Sequence, residues 1–195
     1  MTKTWKNWGR NQVAVPADTV RPRTEDQLRD VIGRGVAERR RVKVVGSGHS
    51  FTDIACTDGL HIDVGAIDAV HDVDMTRNQV TVGAGIVLRE LNRRLWDLGL
   101  SIPSLGDIDA QTLAGATSTG THGTGGRYQC ISAAIVGARV VTSDGTALEI
   151  SEEQRPDLLA GLRVGLGALG VITSLTLRCE PAFNLHAVES TLDID

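Results

Sequence analysis

The first part of the chain alternates strand-like runs with one helical pattern. Apolar residues recur at helical spacing at Leu28, Val31, Ile32 and Val36. Thr24 is the predicted N-cap, with Gln27 three residues later as in a capping box. Strand-like residues precede this helix, and VKVV at 42–45 follows it. A helix that crosses between two strands predicts a parallel pair in a right-handed βαβ unit.

The remaining pattern is that of short strands with few helices. Strands are predicted at 60–64, 69–74, 79–85 and 171–179, and a β-hairpin with an Asp-Gly turn at 133–150. Residues 88–100 form an amphipathic helix with four leucines on one face, closed by Gly99. The small residues of 102–126 predict a short helix that runs into a loop, and 183–195 resembles the start of another strand.

This order of elements predicts an α+β protein of two lobes. A small βαβ lobe covers about 10–65, and a larger, mainly antiparallel β lobe with helices covers about 66–181. Since the chain stops within a strand-like run, we expect truncation after about residue 182.

Composition excludes several classes of function. The net charge is −4 and aromatic residues make up 3%, so a nucleic-acid-binding surface is not expected. The one basic block, ERRR at 38–41, is expected to end a helix. Three scattered cysteines, Cys56, Cys130 and Cys179, predict neither a disulfide framework nor a zinc site. With no apolar signal or membrane-spanning stretch, we expect a cytoplasmic protein.

Two glycine-rich strings suggest a bound anion. GSGHS at 46–50 and STGTHGTGG at 118–126 combine glycines with hydroxyl side chains. Glycines allow positive φ and close approach to a ligand, and consecutive amides in such turns bind anionic oxygens. Each string alone is more simply a tight turn. Together the two strings favour a ligand with a pyrophosphate, which they would bind from two sides.

A nicotinamide or nucleotide-triphosphate site is not supported. GLGALG at 165–170 fits the dinucleotide pattern in letters, but the strand-like VITSLTLRC follows it instead of a helix. Gly165 and Gly167 are therefore better explained by a tight turn and close packing. Neither glycine-rich string has the lysine of a phosphate-binding loop.

The histidines leave several roles open. His49 could be a general base, an anion-loop donor, a nucleophile towards a flavin methyl carbon, or an exposed loop residue. His122 is expected to pack near a cofactor. His61, His71 and His186 are expected to be solvated strand residues, and no metal site is predicted.

Three motifs together resemble the FAD-binding (PCMH-type) domain of the vanillyl-alcohol oxidase superfamily: VGSGHSFTDIACTDG (45–59), GDIDAQTLAGATSTGTHGTG (106–125) and GLGALGVITSLTL (165–177). The sequence is most similar to the branch of L-gulono-1,4-lactone oxidases and dehydrogenases, D-arabinono-1,4-lactone oxidases and alditol oxidases. The resemblance implies a flavin between two subdomains. It also implies cofactor contacts at Val45, Gly46, Ser47, Gly48, His49, Ser50, Phe51, Gly106, Asp107, Thr112, Gly115, Ala116, Thr119, Gly120, Thr121, His122, Gly123, Thr124, Gly125, Val171 and Ile172.

The same resemblance implies an activity. Members oxidise a sugar 1,4-lactone or a polyol by hydride transfer to flavin N5, and oxygen or a carrier then accepts the electrons. In several members the histidine that matches His49 is bonded covalently to FAD, so a tether through His49 is a hypothesis. A cap domain and a C-terminal segment that supply the substrate-side residues are not found in the sequence, so no catalytic residue is named. The alternative is a stand-alone FAD-binding module without catalysis.

Overall fold

The structure, a computed structural model, describes residues 4–186 and 188–191. The helices are α1 Glu25–Ala37, α2 Leu88–Asp97, α3 Leu113–Ser118 and α4 Pro156–Leu162, with a 3-10 helix at Ile131–Ala134. The strands are β1 Trp5–Lys6, β2 Val13–Ala14, β3 Asp18–Val20, β4 Val42–Val45, β5 Leu60–Asp63, β6 Val70–Asp74, β7 Gln79–Gly83, β8 Leu100–Ser101, β9 Ile135–Val141, β10 Ala147–Ser151, β11 Val171–Arg178 and β12 Glu180–Pro181.

A small parallel sheet forms the first layer, in the order β3-β5-β4. Leu28 and Ile32 of α1 are buried in one cluster with Leu60 and Ile62 of β5. The expected helix and its parallel flanking strands are confirmed. The flanking strands do not pair with each other, however, because β5 inserts between them and pairs with both.

Thr24 is the N-cap of α1, as expected, but the reciprocal bond of the predicted capping box is not formed. The Thr24 hydroxyl accepts from the Gln27 amide at 3.2 Å, while the Gln27 side chain accepts from the Arg23 amide at 2.8 Å instead of from Thr24. The helix ends at the basic block: the Arg40 amide donates to the Gly35 carbonyl across Arg39, which has a φ of +52°. This is the Schellman arrangement, with an arginine in place of the usual glycine.

A five-stranded antiparallel sheet forms the larger layer, in the order β10-β9-β11-β7-β6. The predicted hairpin is β9 and β10, and Gly145 in its turn has a φ of +79°. Helix α2 buries Leu88, Leu91 and Leu95 against this sheet, and Gly99 ends it at a φ of +71°. The α+β class with a small parallel and a larger antiparallel sheet is confirmed.

The two sheets share a core and an ion-pair cluster. Val141 of β9 and Val171 of β11 belong to the apolar cluster of the small sheet. Arg139 of β9 donates to both carboxylate oxygens of Glu25 in the first turn of α1, at 2.6 and 3.0 Å, and also pairs with Glu149 of β10. The Arg139 guanidinium holds the pKa of the Glu25 carboxyl below its ordinary value.

Two expectations from the sequence are wrong. His61 is fully buried instead of solvated, because β5 is the central strand and the Trp5 ring lies edge-on to the imidazole at 5.4 Å. No strand forms in the described part of 183–195, which covers 183–186 and 188–191 and includes an exposed His186; the other residues of that run lie outside the described ranges. His71 is exposed, as expected.

None of the helices in the described residues has both the length and the apolar character that crossing a bilayer requires.

Candidate functional site

One cavity of about 440 Å³ lies between the small sheet with α1 on one side and α3 with the start of β11 on the other. Binding sites for small molecules have volumes of roughly 300–1,000 Å³. Most of its exposed wall is apolar, and strands of both sheets contribute to it through Val42, Val44, Val141 and Val171. The cavity therefore lies where the two layers meet.

The loop after β4 brings unpaired amides to this cavity. The backbone N–H groups of Ser47, Gly48, His49 and Ser50 have no acceptor among the described residues. Two carbonyls of the same loop accept hydrogen bonds: Gly48 accepts from the Trp8 amide at 2.8 Å, and Ser50 accepts from the Asn7 side chain at 2.9 Å. Consecutive free amides beside serine hydroxyls form a site that suits an anionic oxygen.

Two glycines allow the backbone conformation of this loop. Gly48 has a φ of +69°, which side chains with a Cβ rarely adopt. At Gly46 a Cβ would lie 2.2 Å from the Thr112 hydroxyl oxygen, so the loop backbone rests directly on the start of α3.

Helix α3 adjoins the loop in the cavity wall, but its first amides are already bonded. The Leu113 and Ala114 amides donate to the Ile86 and Ala84 carbonyls, at 2.8 and 3.0 Å, and the Gly115 amide donates to the Thr112 hydroxyl. Among the described residues, the free donors therefore belong to the 46–50 loop, while Gln111 and Thr119, which flank α3, also line the cavity.

The second glycine-rich string turns away after Thr119. Gly120, at a φ of +69°, closes α3 in a Schellman arrangement in which the Thr121 amide donates to the Ala116 carbonyl at 3.0 Å. A Cβ at Gly123 would lie 2.3 Å from the Leu105 carbonyl oxygen, so this string packs against 105–106. His122 is exposed, and its Nδ1 lies 2.8 Å from the Gly123 carbonyl oxygen.

The GLGALG string forms turns and opens no helix, as expected. Leu166 and Gly167 have φ of +51° and +81°, and a Cβ at Gly165 would lie 2.6 Å from the Gly161 carbonyl oxygen. Leu166, Gly167, Ala168 and Gly170 line the cavity just before β11.

The structure thus brings together about half of the cofactor contacts expected from the sequence. Those that line the cavity are Val45, Gly46, Ser47, Gly48, His49, Ser50, Thr112, Gly115, Thr119, Val171 and Ile172. Those outside its walls, as the described residues define them, are Phe51, Gly106, Asp107, Ala116, Gly120, Thr121, His122, Gly123, Thr124 and Gly125. The cofactor contacts of both groups remain a proposal.

Other residues of the cavity wall were not predicted from the sequence. Lys43 lies in the wall, and so does Trp5 from the hairpin of β1 and β2. The alternation of VKVV offered a signal for Lys43, because residues two apart on a strand share a face. No local pattern pointed to Trp5, which precedes the loop by more than forty residues.

The fold and the cavity together suit a cofactor with an anionic group. A family model described as an FAD binding domain matches residues 16–151. The chain therefore belongs to the FAD binding domain family, and the PCMH-type resemblance is confirmed.

Relatives of this chain carry names of lactone-oxidising enzymes. It is 49% identical over 186 residues to the L-gulono-1,4-lactone dehydrogenase of Mycobacterium tuberculosis, covering 95% of this chain and 43% of the relative. It is 39% identical over 182 residues to the L-gulonolactone oxidase of Bos taurus, covering 93% and 41%. The chain thus spans less than half the length of these relatives. A solved structure titled Physcomitrella patens BBE-like 1 wild-type shares the fold, with a TM-score of 0.78 and 24% identity over 85% of this chain and 37% of that one.

The residues present fit FAD. Free amides at 47–50 with the Ser47 and Ser50 hydroxyls suit its diphosphate, and the apolar strand residues suit the flat faces of its rings. Gly46 and Gly48 keep the loop free of side chains that would block such an approach.

Proposed function

We propose that this chain is the FAD-binding portion of an oxidoreductase that oxidises a CH–OH group of a sugar 1,4-lactone, such as L-gulono-1,4-lactone. The observation that carries the proposal is the row of free amides at Ser47–Ser50 on the rim of the cavity. The names of two relatives support a lactone as substrate.

Bound FAD supplies the hydride acceptor, and the protein supplies position and electrostatics. The amides of 47–50 hold the diphosphate. The apolar residues of β4, β9 and β11 exclude water from the rings. The group that accepts the substrate's hydroxyl proton is not assigned to any residue of this chain.

The first experiment is an absorption spectrum of the purified chain, recorded before and after denaturation in acid and washing. We expect flavin absorbance near one equivalent per chain in the folded protein. A colourless protein that also takes up no added FAD would contradict the proposal.

The washed polypeptide tests the covalent tether separately. If His49 is bonded to the flavin, the colour stays with the polypeptide, and His49→Ala releases it. Flavin that washes out of the unmutated chain would refute the tether and leave the binding site standing.

Reduction of the bound flavin tests the substrate class. We expect anaerobic bleaching by L-gulono-1,4-lactone, slower than in a protein of the relatives' length, with a polyol such as xylitol as the comparison substrate. A yellow protein that neither substrate bleaches would favour a stand-alone FAD-binding module.

A further inference from the structure

The N-terminal hairpin of β1 and β2 contacts the loop that follows β4 at several points. The hairpin precedes the residues matched by the family model. Strands β1 and β2 are joined by residues 7–12, and this connection lies against the loop at 48–51. The Trp8 amide donates to the Gly48 carbonyl at 2.8 Å, and the Asn7 side chain donates to the Ser50 carbonyl at 2.9 Å. These bonds fix both ends of the segment that carries His49.

The Trp8 side chain continues this contact onto His49 itself. The two rings are stacked, with centroids 5.3 Å apart and planes inclined by 19°. Stacking at this distance favours one orientation of each ring. Trp8 is 63% exposed. Burial in a hydrophobic core therefore does not explain the position of the Trp8 side chain.

Asn7 holds the connection in shape. The residue is 3% exposed, and its side chain donates to Asn11 at 2.7 Å and accepts from the Gln12 amide at 3.0 Å. The hairpin is therefore stabilised by bonds of its own. It bonds the Gly48 and Ser50 carbonyls, while the amides of 47–50 have no acceptor among the described residues.

We propose that the hairpin positions the 46–50 loop for cofactor binding. Trp8 sets the orientation of the His49 ring and of the backbone amides on either side of His49. Trp8 acts through His49 and Gly48 and does not itself line the cavity. This inference rests on the proposed FAD-binding function, and it assigns a role to a segment outside the matched family residues.

The test compares four proteins, each the full chain: the unmutated protein, Trp8→Ala, Trp8→Phe and Trp96→Ala. All four are produced without flavin in a riboflavin-starved auxotroph. Trp96 is the matched control, because it is 55% exposed on α2 and does not line the cavity. FAD affinity is measured by quenching of flavin fluorescence. The His49 ring signals are followed by NMR in the flavin-free protein, where the Trp8 ring current acts on them.

We expect Trp8→Ala to shift the His49 ring signals and to weaken FAD binding about tenfold, equivalent to about 1.4 kcal/mol. Trp8→Phe should retain most of the affinity, and Trp96→Ala all of it. Unmoved His49 signals with unchanged affinity in Trp8→Ala would overturn the positioning role, and so would an equal loss in Trp96→Ala. An unmutated chain that binds no FAD would overturn the proposed function instead, while the NMR comparison would still decide the Trp8–His49 contact.

Discussion

Gly48 is the residue at which backbone conformation and ligand binding depend on each other most directly. Its φ of +69° turns the loop, and four successive amides there have no acceptor among residues 4–186 and 188–191. A β-branched side chain in this region is strained, and its Cβ would also lie 3.3 Å from the Trp5 ring. The loop must then change its course, and the amides turn with it.

We therefore expect Gly48→Val to weaken FAD binding at least about tenfold, or about 1.4 kcal/mol, in a fluorescence titration. Gly99→Val is the matched control, because Gly99 has a nearly equal φ of +71°, an open environment and a place outside the cavity wall. Both variants should lose thermal stability, but only Gly48→Val should lose affinity. Normal FAD loading in Gly48→Val would show that this glycine is only a spacer.

Glycine positions were easier to predict from the sequence than their roles. The GSGHS string predicted a turn with positive φ, and Gly48 has one. The second string also predicted positive φ, and Gly120 has one, but there it caps α3. A helix cap and an anion loop require the same residue type, so composition alone could not separate them.

At the scale of elements, the close approach of the 46–50 loop to α3 sets one dimension of the cavity. This spacing depends on Gly46, where a Cβ would lie 2.2 Å from the Thr112 hydroxyl oxygen. Thr112 is 5% exposed and caps α3, so it has little room to move away.

We expect Gly46→Ala to push the loop away from α3 and to weaken FAD binding about tenfold. Removal of the obstructing oxygen in Gly46→Ala/Thr112→Ala should recover part of that affinity, although loss of the cap costs about 1 kcal/mol of stability. The measurement is a double-mutant cycle in FAD affinity with Thr112→Ala as the second single variant. Strictly additive effects would contradict a direct contact between these two elements.

Local periodicity predicted most elements correctly, because helices α1 and α2 and the strands of the larger sheet carry clear apolar patterns. It could not predict that β5 inserts between β3 and β4, since strand order depends on contacts between distant segments. For the same reason it missed the burial of His61, which follows from the central place of β5. The two-residue strands β1 and β2 are too short to show a period.

At the scale of the whole molecule, the cavity exists because two sheets are held at a fixed separation. Apolar contacts of Val141 and Val171 with the small sheet supply part of this attachment. The cluster of Arg139, Glu25 and Glu149 supplies a polar part, joining α1 to β9 and β10. The Thr173 hydroxyl donates to the Arg139 carbonyl at 3.2 Å and thereby joins β11 to the same cluster.

Replacement of Arg139 by methionine should test how much this polar attachment stabilises the fold. The Glu25 side chain is 22% exposed, so its carboxylate would lose a two-point partner in a partly desolvated site. After discounting for solvent screening, we expect a loss of about 1–2 kcal/mol in the free energy of unfolding at pH 7. Arg93→Met, which removes only exposed pairs on α2, should cost at most about 0.5 kcal/mol.

The dependence on pH separates the ion pair from the packing of the arginine stem. Arg139 lowers the pKa of the folded Glu25 carboxyl, so the folded state holds its proton less tightly than the unfolded chain does. The stabilisation is therefore complete above the ordinary glutamate pKa and is lost as the pH falls through the lowered value. In urea titrations, the difference between the unmutated chain and Arg139→Met should be constant from neutral pH to about pH 5 and shrink below it. If the difference in the free energy of unfolding stays constant to the lowest pH at which both chains fold, packing of the arginine stem accounts for the stabilisation. The two sheets would then be joined mainly by apolar contacts.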